Sequence, residues 1–186
     1  METFSYLSVL LSIVLGLAIT QVLLGFRGLI LSRTKVKLYS PTLIWAVLAL
    51  LISIQVWWAN FDLRSRAHWA FAAFFVIVLQ AISVYMASAL ILPDVTGDAS
   101  VDLRDHYYAH RRWFFGALTG AIIFSASKEV ALSGRLPGGV NGIFHVSFGA
   151  AAIAAAITGR EWFHQLMTPI MGLLFVLYIA VLFAKL

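Results

Sequence analysis

The sequence predicts an all-α integral membrane protein, one transmembrane domain over residues 1–186 built as a six-transmembrane-helix bundle. Three observations carry that fold class. Hydrophobic residues make up 62% of the chain and charged residues 11%, where a soluble domain carries about 25% charged residues. The mean hydropathy is +0.94, and a soluble fold of this size needs more polar surface than such a chain supplies. Apolar runs of about 20 residues, the length that crosses hydrocarbon, recur six times between breaks of charge, proline and glycine.

The first run covers roughly 4–31 and follows Met1-Glu2-Thr3, which offers no basic n-region. It is too long for a signal-peptide core and reads as a retained spanning helix. Ser32 to Lys37 is a charged break, and Pro41 suits the first turn of a second helix over about 41–61. Asp62 to Arg66 is a short charged turn before a third helix, about 68–92, which Pro93-Asp94 stops. The longest connection carries Asp94, Asp98, Asp102 and Asp105, then His106, His110, Arg111 and Arg112, and its end, about 101–111, reads as an interfacial helix. The remaining spans are about 112–132, 140–159 and 162–184, separated by Leu136-Pro137-Gly138-Gly139 and Thr158-Gly159-Arg160-Glu161.

Orientation follows from the basic residues. Arg27, Arg33, Lys35, Lys37, Arg104, Arg111, Arg112 and Arg160 lie at one end of the bundle, and Arg64, Arg66, Lys128, Arg135 and Lys185 at the other. The richer end is expected in the cytoplasm, which puts both termini on the same side, the periplasmic face of a bacterial inner membrane. The net charge of +5 then anchors the chain against anionic lipid and does not indicate nucleic acid. Cysteine is absent, which excludes disulfides, thiolate metal sites, iron–sulfur clusters and cysteine nucleophiles.

Polar side chains inside a span turn toward the bundle interior. Each of the first three helices holds one glutamine. Gln21 aligns with Gly25 and Gly28, Gln80 with Ser83 and Ala87, and Gln55 with Trp58 and Asp62. Trp57 lies roughly 200° from Gln55 at about 100° per residue, so Trp57 is expected in the aromatic belt and Trp58 on the inward face. The common use of such glutamines is interhelical hydrogen bonding. The functional alternative is a polar-lined pore or pocket of Gln21, Gln55, Trp58, Gln80, Ser83 and His145. On the outer side Asn60, Asp62, His68, Lys128, Glu129 and Asn141 form a polar cluster, read as a vestibule or as headgroup-level decoration. Gly116 and Gly120, with the alanine-rich 149–156, predict close packing of helices four and five or an oligomer contact. Pro169 is expected to kink the sixth helix and free the carbonyl of Gln165.

Two cofactor readings are weighed beside these, with no cofactor in the first-choice reading. Asp102, His106 and His110 recur one helical turn apart, a spacing that two imidazoles and a carboxylate can offer a divalent metal. His68 with His145, and His110 with His164, could pair across the membrane as ligands of two b-type haems, although His68 and His110 sit at the rims. An intramembrane serine protease is excluded, because helix four reads Ser125-Ala126-Ser127-Lys128 without a G-x-S motif; phosphate loops and dinucleotide fingerprints are also missing. No buried mid-span carboxylate is present for ion coupling. The functional expectation is passive, channel- or transporter-like passage of an ion or small solute, without enzymatic activity. The alternatives are a non-catalytic accessory subunit or lipid- or pigment-binding module, and a b-type haem electron-transfer protein. Expected partners are the lipid bilayer and either further copies of the chain or a larger membrane complex.

Overall fold

A computed structural model describes residues 3–65, 69–95 and 100–182. Its six long helices are α1 (Thr3–Leu31), α2 (Ser40–Ala59), α3 (Phe71–Ile91), α4 (Leu103–Ser133), α5 (Gly139–Ile157) and α6 (Glu161–Leu182). All six are long and apolar enough to cross a membrane. Large apolar side chains stand outward all round the bundle, among them Ile30, Leu31, Phe71, Trp113, Val146 and Leu173. The buried core mixes aliphatic side chains such as Leu7, Leu15, Ile77 and Val84 with aromatic, small and polar ones. The polar ones, including Thr42, Ser53, Asn60, Gln80, His164 and Thr168, lie inside, and none of the three mid-span glutamines is exposed.

The chain's own chemistry sets the helix ends. Pro41 stands in the first turn of α2, where its missing N–H costs nothing. Asp102 caps α4, its carboxylate accepting from the backbone N–H of Arg104 at 2.9 Å and of Asp105 at 3.4 Å. Gly134 ends α4 at φ 72°, a left-handed conformation that favours glycine, and its N–H reaches Val130 O at 2.9 Å. The expected break between an interfacial helix and the fourth span does not exist. Two residues, Val101–Asp102 (β2), pair in parallel with Val36–Lys37 (β1). The helix then runs unbroken through His106, His110 and Arg112, because the Asp102 cap starts it early and nothing between Leu103 and Ser133 interrupts it.

The helix α3 sits centrally, packed on α1, α2 and most broadly on α4; α5 rests on α4 and α6 on α2, while α5 and α6 meet more sparingly. Leu7, Leu11, Leu15, Ala18 and Val22 form the inward seam of α1. The Gln21 stripe does allow close approach: a Cβ built on Gly25 would stand 2.6 Å from Leu92 Cβ, and one on Gly28 3.3 Å from Val95 Cβ. The GxxxG pair acts differently from the expectation. Gly116 is exposed and touches nothing, and Gly120 faces Ser83 of α3 rather than α5. Pro169 is also exposed and stands with Gln165 on an open groove against Tyr39, Pro41 and Ile44, apart from the interior.

Candidate functional site

The structure assembles two polar centres, one near each end of the bundle, and each is built around a histidine. Near the end that carries the β1–β2 pair, His164 is fully buried. Its Nε2 stands 2.8 Å from the carbonyl of Thr158 and its Nδ1 2.8 Å from Tyr107 Oη. A carbonyl only accepts, so Nε2 carries the proton and the Tyr107 hydroxyl donates to Nδ1. Tyr107 in turn is hydrogen-bonded by Thr168, whose Oγ1 accepts from Trp45 Nε1 at 3.0 Å. Tyr107, Tyr108, Phe115 and Phe163 surround the imidazole with ring centroids at 5.3 to 5.9 Å. The chain starts at an indole, which only donates, and ends at a carbonyl, which only accepts. It is saturated at both ends.

The loops at this end are fastened by charge. Arg104 holds Glu161 through two bonds, Nη2–Oε2 at 2.8 Å and Nε–Oε1 at 3.1 Å, joining α4 to α6. Desolvation pushes the carboxyl of Asp102 up, but its two backbone N–H donors and Lys37 Nζ at 3.6 Å outweigh it, leaving its pKa below the usual carboxylate range. Burial, then the neighbouring Tyr108 hydroxyl 3.2 Å away, raises the Tyr39 phenol above its ordinary value.

The second centre lines a partly open cavity of about 110 Å³ between α2, α3, α4, α5 and α6. Its wall runs along α2 from Trp45 to Val56, about 16 Å at 1.5 Å per residue. The Trp45 end is blocked by Phe114 and Phe115, which meet the indole edge-on at 5.5 and 5.3 Å. Most of the wall is apolar: Leu48, Ile52, Val84, Leu118, Ile122, Phe148, Met171 and Phe175. Its polar groups gather toward the other end as Gln55, Gln80, Ser125, His145 and Tyr178. His145 Nδ1 donates to the carbonyl of Asn141 at 2.9 Å, which leaves Nε2 to accept from Ser125 Oγ at 3.0 Å. Gln55 is hydrogen-bonded to the Tyr178 hydroxyl. Gln80 is 6% exposed, and its Oε1 has no hydrogen-bond partner among the described residues.

Of the six expected lining residues, Gln55, Gln80 and His145 reach this wall; Gln21, Trp58 and Ser83 do not. Gln21 is half-buried on α1, away from the cavity. Ser83 turns its hydroxyl back to Leu79 O at 2.9 Å. Trp58 is 37% exposed and Trp57 45% exposed, with Trp57 Nε1 bonded to Ser12 Oγ at 3.1 Å. The expected inward turn of Trp58 is therefore wrong. The buried face of this part of α2 is Ala49, Ser53, Val56 and Asn60, with Gln55 on its flank. Ser125 and Tyr178 belong to the site and are missed by motif reading. Helical spacing finds them: Leu118, Ile122 and Ser125 form one stripe, and Met171, Phe175 and Tyr178 another.

The residues expected as an outer polar cluster stand in unlike surroundings. Asn60 is buried and gives its Nδ2 to Val56 O at 2.7 Å, Asp62 is exposed on a 3-10 turn, Lys128 is buried, and Glu129 and Asn141 are half-buried. None of these five lies on the cavity wall, and His68 falls outside the described residues. Among the described residues no three His, Asp or Glu side chains gather to hold a metal. Asp102 is spent on its cap, His106 Nε2 meets Leu90 O at 3.1 Å, and His110 Nδ1 meets the carbonyl of His106 at 2.9 Å. Of the histidines expected as haem ligands, His145 and His164 have both ring nitrogens hydrogen-bonded within the protein.

Six apolar helices of spanning length among the described residues, with a partly open cavity between them, thus define the class, a helical bundle that fits a multi-pass membrane protein. Compared with protein-family models, curated proteins and solved structures, the chain finds no match in any of the three.

Proposed function

We propose that this chain is a multi-pass membrane protein, with both termini on the periplasmic face of a bacterial inner membrane, whose bundle binds a small neutral molecule. The molecule is mostly apolar and carries one hydrogen-bond donor. The excess of Lys and Arg at the Arg104 end supports the orientation. One observation carries the binding reading: an acceptor, Gln80 Oε1, is buried without a partner on the wall of a cavity that is otherwise largely hydrocarbon. An unpaired buried acceptor costs about 1–3 kcal/mol, and a ligand donor or a water relieves that cost. A volume of about 110 Å³ suits a small alcohol or the end of a slender chain, since an apolar cavity of about 150 Å³ takes benzene.

Trp45 on the wall supplies the reporter. Protein purified in detergent is titrated with 2-bromoethanol, a donor-bearing heavy-atom quencher. Saturable quenching is expected, absent in Trp45→Phe and weakened about tenfold in Gln80→Leu, the equivalent of one hydrogen bond of about 1.4 kcal/mol. Linear quenching, identical in both variants and the parent, overturns the reading.

The length of the cavity along α2 favours a second reading, passage of such a solute. That reading needs Trp45, Phe114 and Phe115 to part, and it predicts solute flux in liposomes that falls in Gln55→Leu and Gln80→Leu.

A further inference from the structure

Hydroxyls inside helices ordinarily return to the carbonyl one turn back. Thr20, Ser53, Ser83, Thr119, Ser127 and Ser133 all do so here, at 2.7 to 2.9 Å. Ser125 does not. Its Oγ lies 3.0 Å from His145 Nε2, on the neighbouring helix and on the cavity wall, while Ser127, two residues on, keeps the ordinary bond. The imidazole is held by a third group, the Asn141 carbonyl at 2.9 Å, which fixes the proton on Nδ1 and presents Nε2 as an acceptor. A hydroxyl within reach of a base that a third group orients is the arrangement that activates a serine. The Tyr107–His164 pair has the same bonding but is buried in rings away from the cavity.

We propose that Ser125 is a nucleophile, with His145 as its base, toward a small neutral carboxylic ester that also bears one hydroxyl, the donor that Gln80 Oε1 lacks; this rests on the cavity being a binding pocket. Ser125 Oγ attacks the carbonyl carbon, and its proton passes to His145 Nε2. The C–O bond to the leaving alcohol breaks, and that oxygen takes the proton from His145. Water then adds to the acyl-serine by the same route, releasing the carboxylic acid and restoring the hydroxyl. Gln55, on the same wall, carries a second N–H, beyond any given to Tyr178, for the charge that develops on the carbonyl oxygen.

The test uses a short-chain alkyl fluorophosphonate on the full chain in detergent, read by intact mass and by mapping of the modified peptide. Attack by Oγ forms an O–P bond and expels fluoride, so no turnover is needed. One label on Ser125 is expected. It is lost in Ser125→Ala, retained in Ser127→Ala, and formed at least about 100-fold more slowly in His145→Gln, the lower range of general-base catalysis. A dialkyl phosphonate of similar size that lacks fluoride reports entry alone, by displacing 2-bromoethanol from Trp45. Displacement without labelling overturns the nucleophile and leaves the pocket standing. Neither displacement nor labelling overturns both. Labelling unchanged in His145→Gln removes the base, and labelling elsewhere removes Ser125.

Discussion

His164 and His145 are bonded alike and sit in unlike surroundings. Each gives one N–H to a backbone carbonyl and accepts a hydroxyl on the other nitrogen. Around His164 four aromatic rings fill the space, and the hydrogen-bond chain ends in groups that can go no further. Around His145 there is a cavity, with an unpaired carboxamide oxygen on the same wall. The difference teaches that local bonding does not define a site. A saturated network with no room around it holds helices together, whereas the same bonding beside empty space and an unmet acceptor has something left to do.

The largest expected effect tests the packed centre. His164→Ala strands the Tyr107 hydroxyl and the Thr158 carbonyl and opens a void among the rings, so a loss of about 3 kcal/mol or more is expected. His145→Ala, half-buried beside existing space, is expected to cost about 1 kcal/mol. Thermal unfolding in one detergent compares them, and equal losses erase the contrast. Gln80→Leu has the opposite sign. Replacing an unsatisfied acceptor by an apolar group of similar size is expected to leave stability unchanged or raise it by up to about 1 kcal/mol, while ligand quenching of Trp45 weakens. A clear destabilisation shows that this oxygen is already satisfied.

The smallest effect is at the charged rim of the His164 end. The pKa of Asp102 is lowered by folding, so its contribution is present above the unfolded value of about 3.9 and is lost as pH falls through the lower folded value. Asp102→Ala is therefore expected to melt slightly lower than the parent at neutral pH, with the gap closing in strong acid. A gap that widens in acid contradicts that sign.

The helices were legible in the sequence because hydrocarbon demands a length and a composition, and Pro41, Pro93 and Pro137-Gly138-Gly139 mark where that demand ends. Their faces were legible only in part. Periodicity gives the angle between Gln55 and Trp58 on α2, but not which direction faces the neighbours; Ser53 and Val56 take that direction. Helix partners were least legible. Nothing in the Gly116–Gly120 spacing says that Gly120 meets α3, and nothing in Ser125-Ala126-Ser127-Lys128 says that His145 stands across from it. Such pairings depend on which helices are adjacent, a property of the whole bundle that no single span records.

The short parallel pair between Val36–Lys37 and Val101–Asp102, with Val101 N bonded to Lys35 O at 2.9 Å, has a mechanical consequence. It staples the loop leaving α1 to the loop entering α4, so the first four helices share a common spine at that end. The pair α5 and α6 is tied to this spine by side chains, α6 through the Arg104–Glu161 clasp and Tyr107–His164 and α5 through Ser125–His145, with no such strand pair of its own among the described residues. Backbone fastens the first four helices at that end, and side chains alone fasten the last two.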